Sequence, residues 1–153
     1  MKEFLIKYQV IATVVIAWSL AQIIKTLIIL RIEHKFVPER LIGSGGMPSS
    51  HSSTVCSLAT TAAFLYSLNS FEFAISFILA MIVMIDAMGV RRETGKQAKL
   101  LNMMMEQDFW NFDDPAVFEK RLKEFVGHTP LQVLVGAILG IIIACVAEFT
   151  AFR

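Results

Sequence analysis

Cysteine is scarce in this chain. Only Cys56 and Cys145 occur in 153 residues, both inside apolar runs and without CxxC or His/Cys spacing. That excludes a disulfide framework and a thiolate metal site and leaves both as small packing residues. Charge is also low: 18% of residues carry one, against about a quarter in soluble domains. The net charge is only +1, so nothing in the total points to nucleic acid or another polyanion. There is no internal repeat and no low-complexity tract. Nor is there a carboxylate cluster suited to Mg²⁺, so the expected chemistry is free of metal and of cofactor.

What is abundant is apolar surface. Hydrophobic residues make up 56% of the sequence and the mean hydropathy is +0.63. The expectation is an all-α, polytopic membrane helical bundle forming one integral membrane domain over residues 1–153. Four transmembrane helices are expected, at about 4–30, 50–68, 71–90 and 130–149. The first run, Phe4 to Leu30, exceeds the ~30 Å hydrocarbon core at ~1.5 Å per residue. It is too long for a signal-peptide core, and no small-residue cleavage pattern follows it, so it reads as a retained span. The second run is rich in Ser, Thr and Ala, and the fourth carries Gly136 and Gly140, both suited to close helix contact.

Between the third and fourth spans, 91–128 reads as an interfacial helical segment. Ala98, Leu101 and Met105 recur at helical spacing. Asp113-Asp114-Pro115 then opens a second short helix with Val117, Phe118, Leu122 and Phe125 on its apolar side. Both helices would lie along the bilayer surface; a soluble hairpin packed on itself fits the same pattern.

Crossing parity places the ends of spans one and three and the starts of spans two and four on one face. That face collects Lys25, Arg40, His51, Asp86, Arg91, Arg92 and His128. Of the 14 Lys and Arg residues, only Lys2, Lys7 and Arg153 fall opposite. The positive-inside rule puts the polar face in the cytoplasm and both termini outside, in a multi-pass protein of the cell membrane.

Two short motifs open helices on that face. In Gly43-Ser44-Gly45-Gly46-Met47-Pro48-Ser49-Ser50-His51, the glycines permit a sharp bend and close approach to a ligand. Ser49 or Ser50 is an N-cap, and the helix start behind it is a ready anion site. His51 adds an acid–base group. In Gly127-His128-Thr129-Pro130-Leu131-Gln132, Thr129 and Gln132 have capping-box spacing and Pro130 suits the first helical position. His128 is left unexplained by the cap. Asp86 closes the third span, where a carboxylate costs roughly 2.5–3.5 kcal/mol at mid-membrane and needs a partner or a task. Each residue has a plainer reading: a capped span with an incidental histidine, an Asp86–Lys25 or Asp86–Arg pair, snorkelling Lys25, and arginine anchors at the membrane edge. Together, two histidines and a basic cluster suit phosphoryl transfer, one imidazole attacking phosphorus and the other protonating the leaving oxygen.

The three motifs Gly45-Gly46-Met47-Pro48-Ser49-Ser50-His51-Ser52, Asp86-Ala87-Met88-Gly89-Val90-Arg91-Arg92 and Gly127-His128-Thr129-Pro130 resemble those of the divergent PAP2 family. That family is related to type 2 phosphatidic acid phosphatases and vanadium haloperoxidases. Lys25, Arg40 and Asn102 also fall where the family has them. The resemblance implies a membrane lipid phosphatase cleaving a phosphate monoester or pyrophosphate of a phosphatidate-like or polyprenyl lipid. His128 would be the nucleophile that becomes phosphohistidine and His51 the general acid. Lys25, Arg40, Ser49, Ser50, Arg91 and Arg92 would bind phosphate. The chain departs from the wider superfamily pattern at Ser50, which replaces a glycine, and at Leu122, which replaces an arginine. It departs again at Gln132, which replaces the aspartate behind the nucleophile, so Asp86 is a candidate substitute. The second reading is a non-catalytic protein that binds lipid phosphate or a partner through the same pocket. The expected partners are lipid phosphate and the bilayer, and self-association into a homo-oligomer stays open.

Overall fold

Ser49 sets where the central helix of the molecule begins. Its hydroxyl accepts a hydrogen bond from the Ser52 backbone N–H at 3.3 Å, the bond that makes serine a favoured N-cap. The structure, a computed structural model, describes residues 2–33, 46–106, 122 and 127–150. The helices are α1 (Lys2–Glu33), α2 (Ser50–Tyr66), α3 (Phe71–Met88), α4 (Val90–Glu106) and α5 (Pro130–Thr150). No strand occurs among the described residues. Arg40, and the short helix expected after Asp113-Asp114-Pro115 apart from Leu122, lie outside them.

Three stretches are long and apolar enough to cross a bilayer: Tyr8–Ile32, Phe71–Met104 through α3 into α4, and Pro130–Thr150. Helix α2 is shorter, at 17 residues, and its buried side is largely serine and threonine. Its surroundings explain how so polar a helix sits in the bundle: α1, α3 and α5 all pack on it. At its end Ser67 adopts φ 78 and returns its N–H to Ala63. Ser70 then caps α3 by accepting from the Phe73 N–H at 3.1 Å. This tight turn sends α3 back antiparallel along α2, so the two helices run through the same depth.

The packing rule is that of lipid, not of water. Ala17 and Ala21 are fully buried with Ser52, Ser53, Ser57 and Thr13, whereas Ile11, Val15, Ile78 and Ile82 are exposed. Without a hydrophobic drive between helices, small residues that let backbones approach hold the bundle together. Gly136 and Gly140 show this most directly. A Cβ at Gly136 would collide with the Ser49 carbonyl, and one at Gly140 with the Ser53 carbonyl. From the other side the Ser53 hydroxyl donates to the Ala17 carbonyl of α1 at 3.2 Å. Helix α2 is therefore gripped between α1 and α5 at the level of its first turns.

Helix α3 ends two residues before the expected boundary. Gly89 takes a non-helical conformation and caps it, and α4 begins directly at Val90. The buried side of α4 also differs from the expected register. Gly95, Ala98 and Asn102 are buried, while Leu101 is 48% exposed. The reason is Asn102, whose side-chain amide bonds the Leu122 backbone at both its carbonyl, 2.9 Å, and its N–H, 3.0 Å. A helix that must turn Asn102 inward turns Leu101 out. Replacing Asn102 with alanine removes both bonds to the Leu122 backbone and, at ~0.5–1.5 kcal/mol for each hydrogen bond, is expected to destabilise the protein by about 1–3 kcal/mol. A thermal unfolding midpoint equal to the wild type's would show that this clamp carries no weight.

Candidate active site

Both expected helix starts place their histidines at the same end of the bundle. The ring centroids of His51 and His128 lie 6.0 Å apart with an interplanar angle of 63°. His51 belongs to the first turn of α2. His128 sits two residues before α5 and is 2% exposed.

Several backbone bonds create this meeting. The Ser49 N–H donates to the Gln132 carbonyl at 3.0 Å, joining the two helix starts, and the His128 N–H donates to the Ala87 carbonyl at the end of α3, also at 3.0 Å. Gly127 takes φ +96 and lies so close to the Arg92 backbone that no Cβ would fit. The capping box forms as its spacing predicts: Gln132 Oε1 accepts from the Thr129 N–H at 3.0 Å, and the Thr129 hydroxyl accepts from the Gln132 N–H at 3.4 Å. The same Gln132 oxygen lies 3.3 Å from His128 Nδ1. One amide thus caps α5 and orients the imidazole. It also favours the tautomer with the proton on Nδ1, leaving a lone pair on Nε2. His128 Nε2 is buried and has no hydrogen-bond partner among the described residues, as is also true of His51 Nδ1.

The cations are placed unequally. Lys25 is fully buried, and Gly46, at φ +85, lies against its stem: a Cβ there would stand 3.1 Å from Lys25 Cγ. The positive φ favours glycine there, and a Cβ would crowd the lysine stem, a role legible beforehand only as a glycine run. Arg91 and Lys25 are within electrostatic reach of the His51 ring. Arg92 is exposed, and what packs on Gly127 is its backbone.

Asp86 requires a correction. It was a candidate to stand behind His128 in place of the missing aspartate, but its Oδ2 accepts from Arg91 Nε at 2.6 Å. Gln132 fills the position behind His128. The partner is the guanidinium five residues on, and the Asp86 carboxylate is also within electrostatic reach of the His51 ring. Both side chains of this pair are solvent-accessible, so it adds little stability; it fixes the direction of Arg91.

The serines divide their work. The Ser49 hydroxyl accepts from the Ser52 N–H and hydroxyl, so it serves the cap. Ser50 is buried at the first helical position. By helix geometry the N–H groups of Ser50 and His51 have no acceptor inside α2. They face the end of the bundle that holds both imidazoles and can bond an oxyanion.

Burial holds the His128 pKa below its ordinary value, and the charges of Lys25 and His51 act in the same direction. The Gln132 bond and the Gly46 backbone pull it partly back up. The neutral imidazole is therefore favoured more than in a free histidine.

A family model described as the divergent PAP2 family matches residues 6–143. An uncharacterized membrane protein of Bacillus subtilis (strain 168), YuiD, is 40% identical over 138 residues, 84% of this chain and 87% of that protein. No solved structure matches the chain.

Proposed function

The chain belongs to the divergent PAP2 family, and from that premise we propose that this multi-pass membrane protein is a lipid phosphatase working through phosphohistidine. The observation that carries the reading is the pair of imidazoles 6.0 Å apart, with buried Lys25 beside them and His128 Nε2 lacking a partner among the described residues. The substrate is a phosphate monoester or pyrophosphate on a phosphatidate-like or polyprenyl lipid.

In the first step the Nε2 lone pair of neutral His128 forms the N–P bond. The bond from phosphorus to the lipid oxygen breaks, and protonated His51 gives its proton to that oxygen. In the second step water attacks phosphorus, its proton passes to His51, and the N–P bond breaks to release phosphate and neutral His128. Lys25, Arg91 and the Ser50 and His51 N–H groups neutralise charge on the non-bridging oxygens. Arg92, at the start of α4, and Arg40, which lies outside the described residues, are the remaining candidate phosphate ligands.

A second reading, binding of lipid phosphate without turnover, draws support from Gln132. An amide oxygen orients His128 but does not stabilise a positive imidazole as a carboxylate does. The pH dependence of phosphate release from lipid phosphates separates the two. Turnover is expected, with an acid limb in kcat/KM below pH 6.5, because His128 must lose its proton to attack and its pKa lies below the ordinary value. Gln132→Leu removes a bond that raises that pKa, so its limb is expected to move further towards acid. A limb that stays in place belongs to the substrate phosphate, and absence of release with lipid phosphate still bound selects the second reading.

A further inference from the structure

At the end of the bundle away from the histidines, two threonines break a pattern. Thr26, Thr54, Thr60, Thr94 and Thr150 each donate their hydroxyl to the carbonyl four residues back, at 2.6–2.9 Å. Thr13 of α1 and Thr61 of α2 do not. Both are buried, and both hydroxyls lack a hydrogen-bond partner among the described residues. A buried hydroxyl left unpaired is costly, so two of them at one level ask for a ligand.

The helix register brings these hydroxyls to a carboxylate. Helices α2 and α5 run parallel, with Gly136 packed on Ser49 and Gly140 on Ser53. Continued by turns, that register sets Ala144 beside Ser57 and Glu148 beside Thr61. Helix α1 runs the other way, and the Ser53 hydroxyl bonds the Ala17 carbonyl, which sets Thr13 beside Ser57 and Gln9 beside Thr61. The Gln9 amide closes the set by donating to Glu148 Oε2 at 2.6 Å. Side chains lean toward the N-terminus of their own helix. Thr61 and Glu148 therefore lean toward the level of Ser57, and Thr13, on the antiparallel helix, leans the opposite way to meet them. Thr61 is ten residues from His51, about 15 Å along the axis, so this cluster is separate from the phosphate site.

Glu148 belongs to the apolar stretch Pro130–Thr150, where a carboxylate needs a partner or a task. Among the described residues its partner is the neutral Gln9 amide, and no salt bridge reaches it. We propose that Thr13, Thr61 and Glu148 bind one alkali-metal cation at the junction of α1, α2 and α5. A water molecule would pair the hydroxyls and leave the carboxylate charge uncompensated. A proton would neutralise the carboxylate and leave the hydroxyls as they are. A cation answers both, through lone pairs on the two hydroxyls and on the carboxylate oxygen that Gln9 does not use. Oxygen donors select a hard cation. The single negative charge suits a monovalent one, since a divalent ion would leave net positive charge within the span. Bound there, the ion joins the three helices that carry Lys25, His51 and Gln132, and it stabilises the folded chain by binding that state alone.

The test follows the thermal midpoint of the full chain in detergent while sodium chloride replaces N-methylglucamine chloride at constant ionic strength and pH. The wild-type midpoint is expected to rise and saturate, by roughly 2–4 °C at about five times the dissociation constant. Equilibrium binding of radioactive sodium should saturate at one ion per chain. Glu148→Gln keeps an acceptor for Gln9 and is expected to lose both the rise and the bound sodium. Thr61→Val removes an unpaired buried hydroxyl, so without sodium it should be at least as stable as the wild type, and with sodium less stable. Thr60→Val, whose hydroxyl is satisfied within α2, should keep the full response to sodium. A wild-type midpoint indifferent to sodium overturns the proposal, whether or not it moves with pH. So does a rise that persists in both Glu148→Gln and Thr61→Val. None of these measurements needs phosphate release, so they stand or fall apart from the lipid-phosphatase reading.

Discussion

His128→Ala is expected to lower phosphate release from a lipid phosphate by ~10³-fold or more, since removing a nucleophile takes away the reaction path itself. His51→Ala is expected to differ in kind. General acid catalysis contributes roughly 10²–10⁴, and only when the leaving oxygen needs a proton. On an alkyl lipid phosphate the His51 variant should therefore lose about that factor. On an aryl phosphate, whose leaving group departs without protonation, it should lose far less, while His128→Ala stays inactive on both. Lipid-phosphate binding should survive His128→Ala, because Lys25 and the α2 N–H groups remain. Equal rates for the wild type and both variants, or equal losses on both classes of ester, would remove the assigned roles. The geometry favours the assignment in this direction. His128 has a side-chain acceptor fixing Nδ1 and a buried Nε2 with no hydrogen-bond partner among the described residues, as an orienting pair demands of a nucleophile.

Much of this arrangement is legible in the sequence because it is local. A serine before an apolar run and the Thr129–Gln132 spacing each specify a cap within four residues, and both caps form. Gly136 and Gly140, one turn apart, already mark a contact stripe. Crossing parity suffices to put the motif residues on one face, since it depends only on the number of helices. What sequence periodicity does not hold is the choice among partners within reach. Asp86 could have faced His128, Lys25 or an arginine, and the break at Gly89 decides for Arg91. The register of α4 turns on Asn102 bonding a backbone twenty residues away, a contact that no local pattern encodes.

The contact that brings the two histidine-bearing helix starts together is backbone on backbone, so the smallest possible side chain should disturb it. Gly136→Ala adds one methyl group where the Ser49 carbonyl lies, with Ser49 N 3.0 Å and Ser49 C 3.1 Å from the new carbon. None of these is a side chain that can swing aside; α5 and the start of α2 must separate. The expected loss of stability is about 1–3 kcal/mol, the usual range for overpacking. The expected loss of activity is larger in proportion. The Ser49 N–H to Gln132 carbonyl bond lies at this contact, and Gln132 in turn orients His128. A displacement near 1 Å between reacting groups costs on the order of 10²-fold. Gly140→Ala supplies the comparison, since its new carbon meets the Ser53 carbonyl one turn further from the histidines. It should destabilise to a similar extent and reduce turnover less. Thermal midpoints in detergent and phosphate release, measured side by side, give the two ratios. Wild-type behaviour of Gly136→Ala in both would mean that the two helix starts are held together by something other than this contact. Equal activity losses for the two variants would mean that the effect is general loosening and not displacement of His128 from His51.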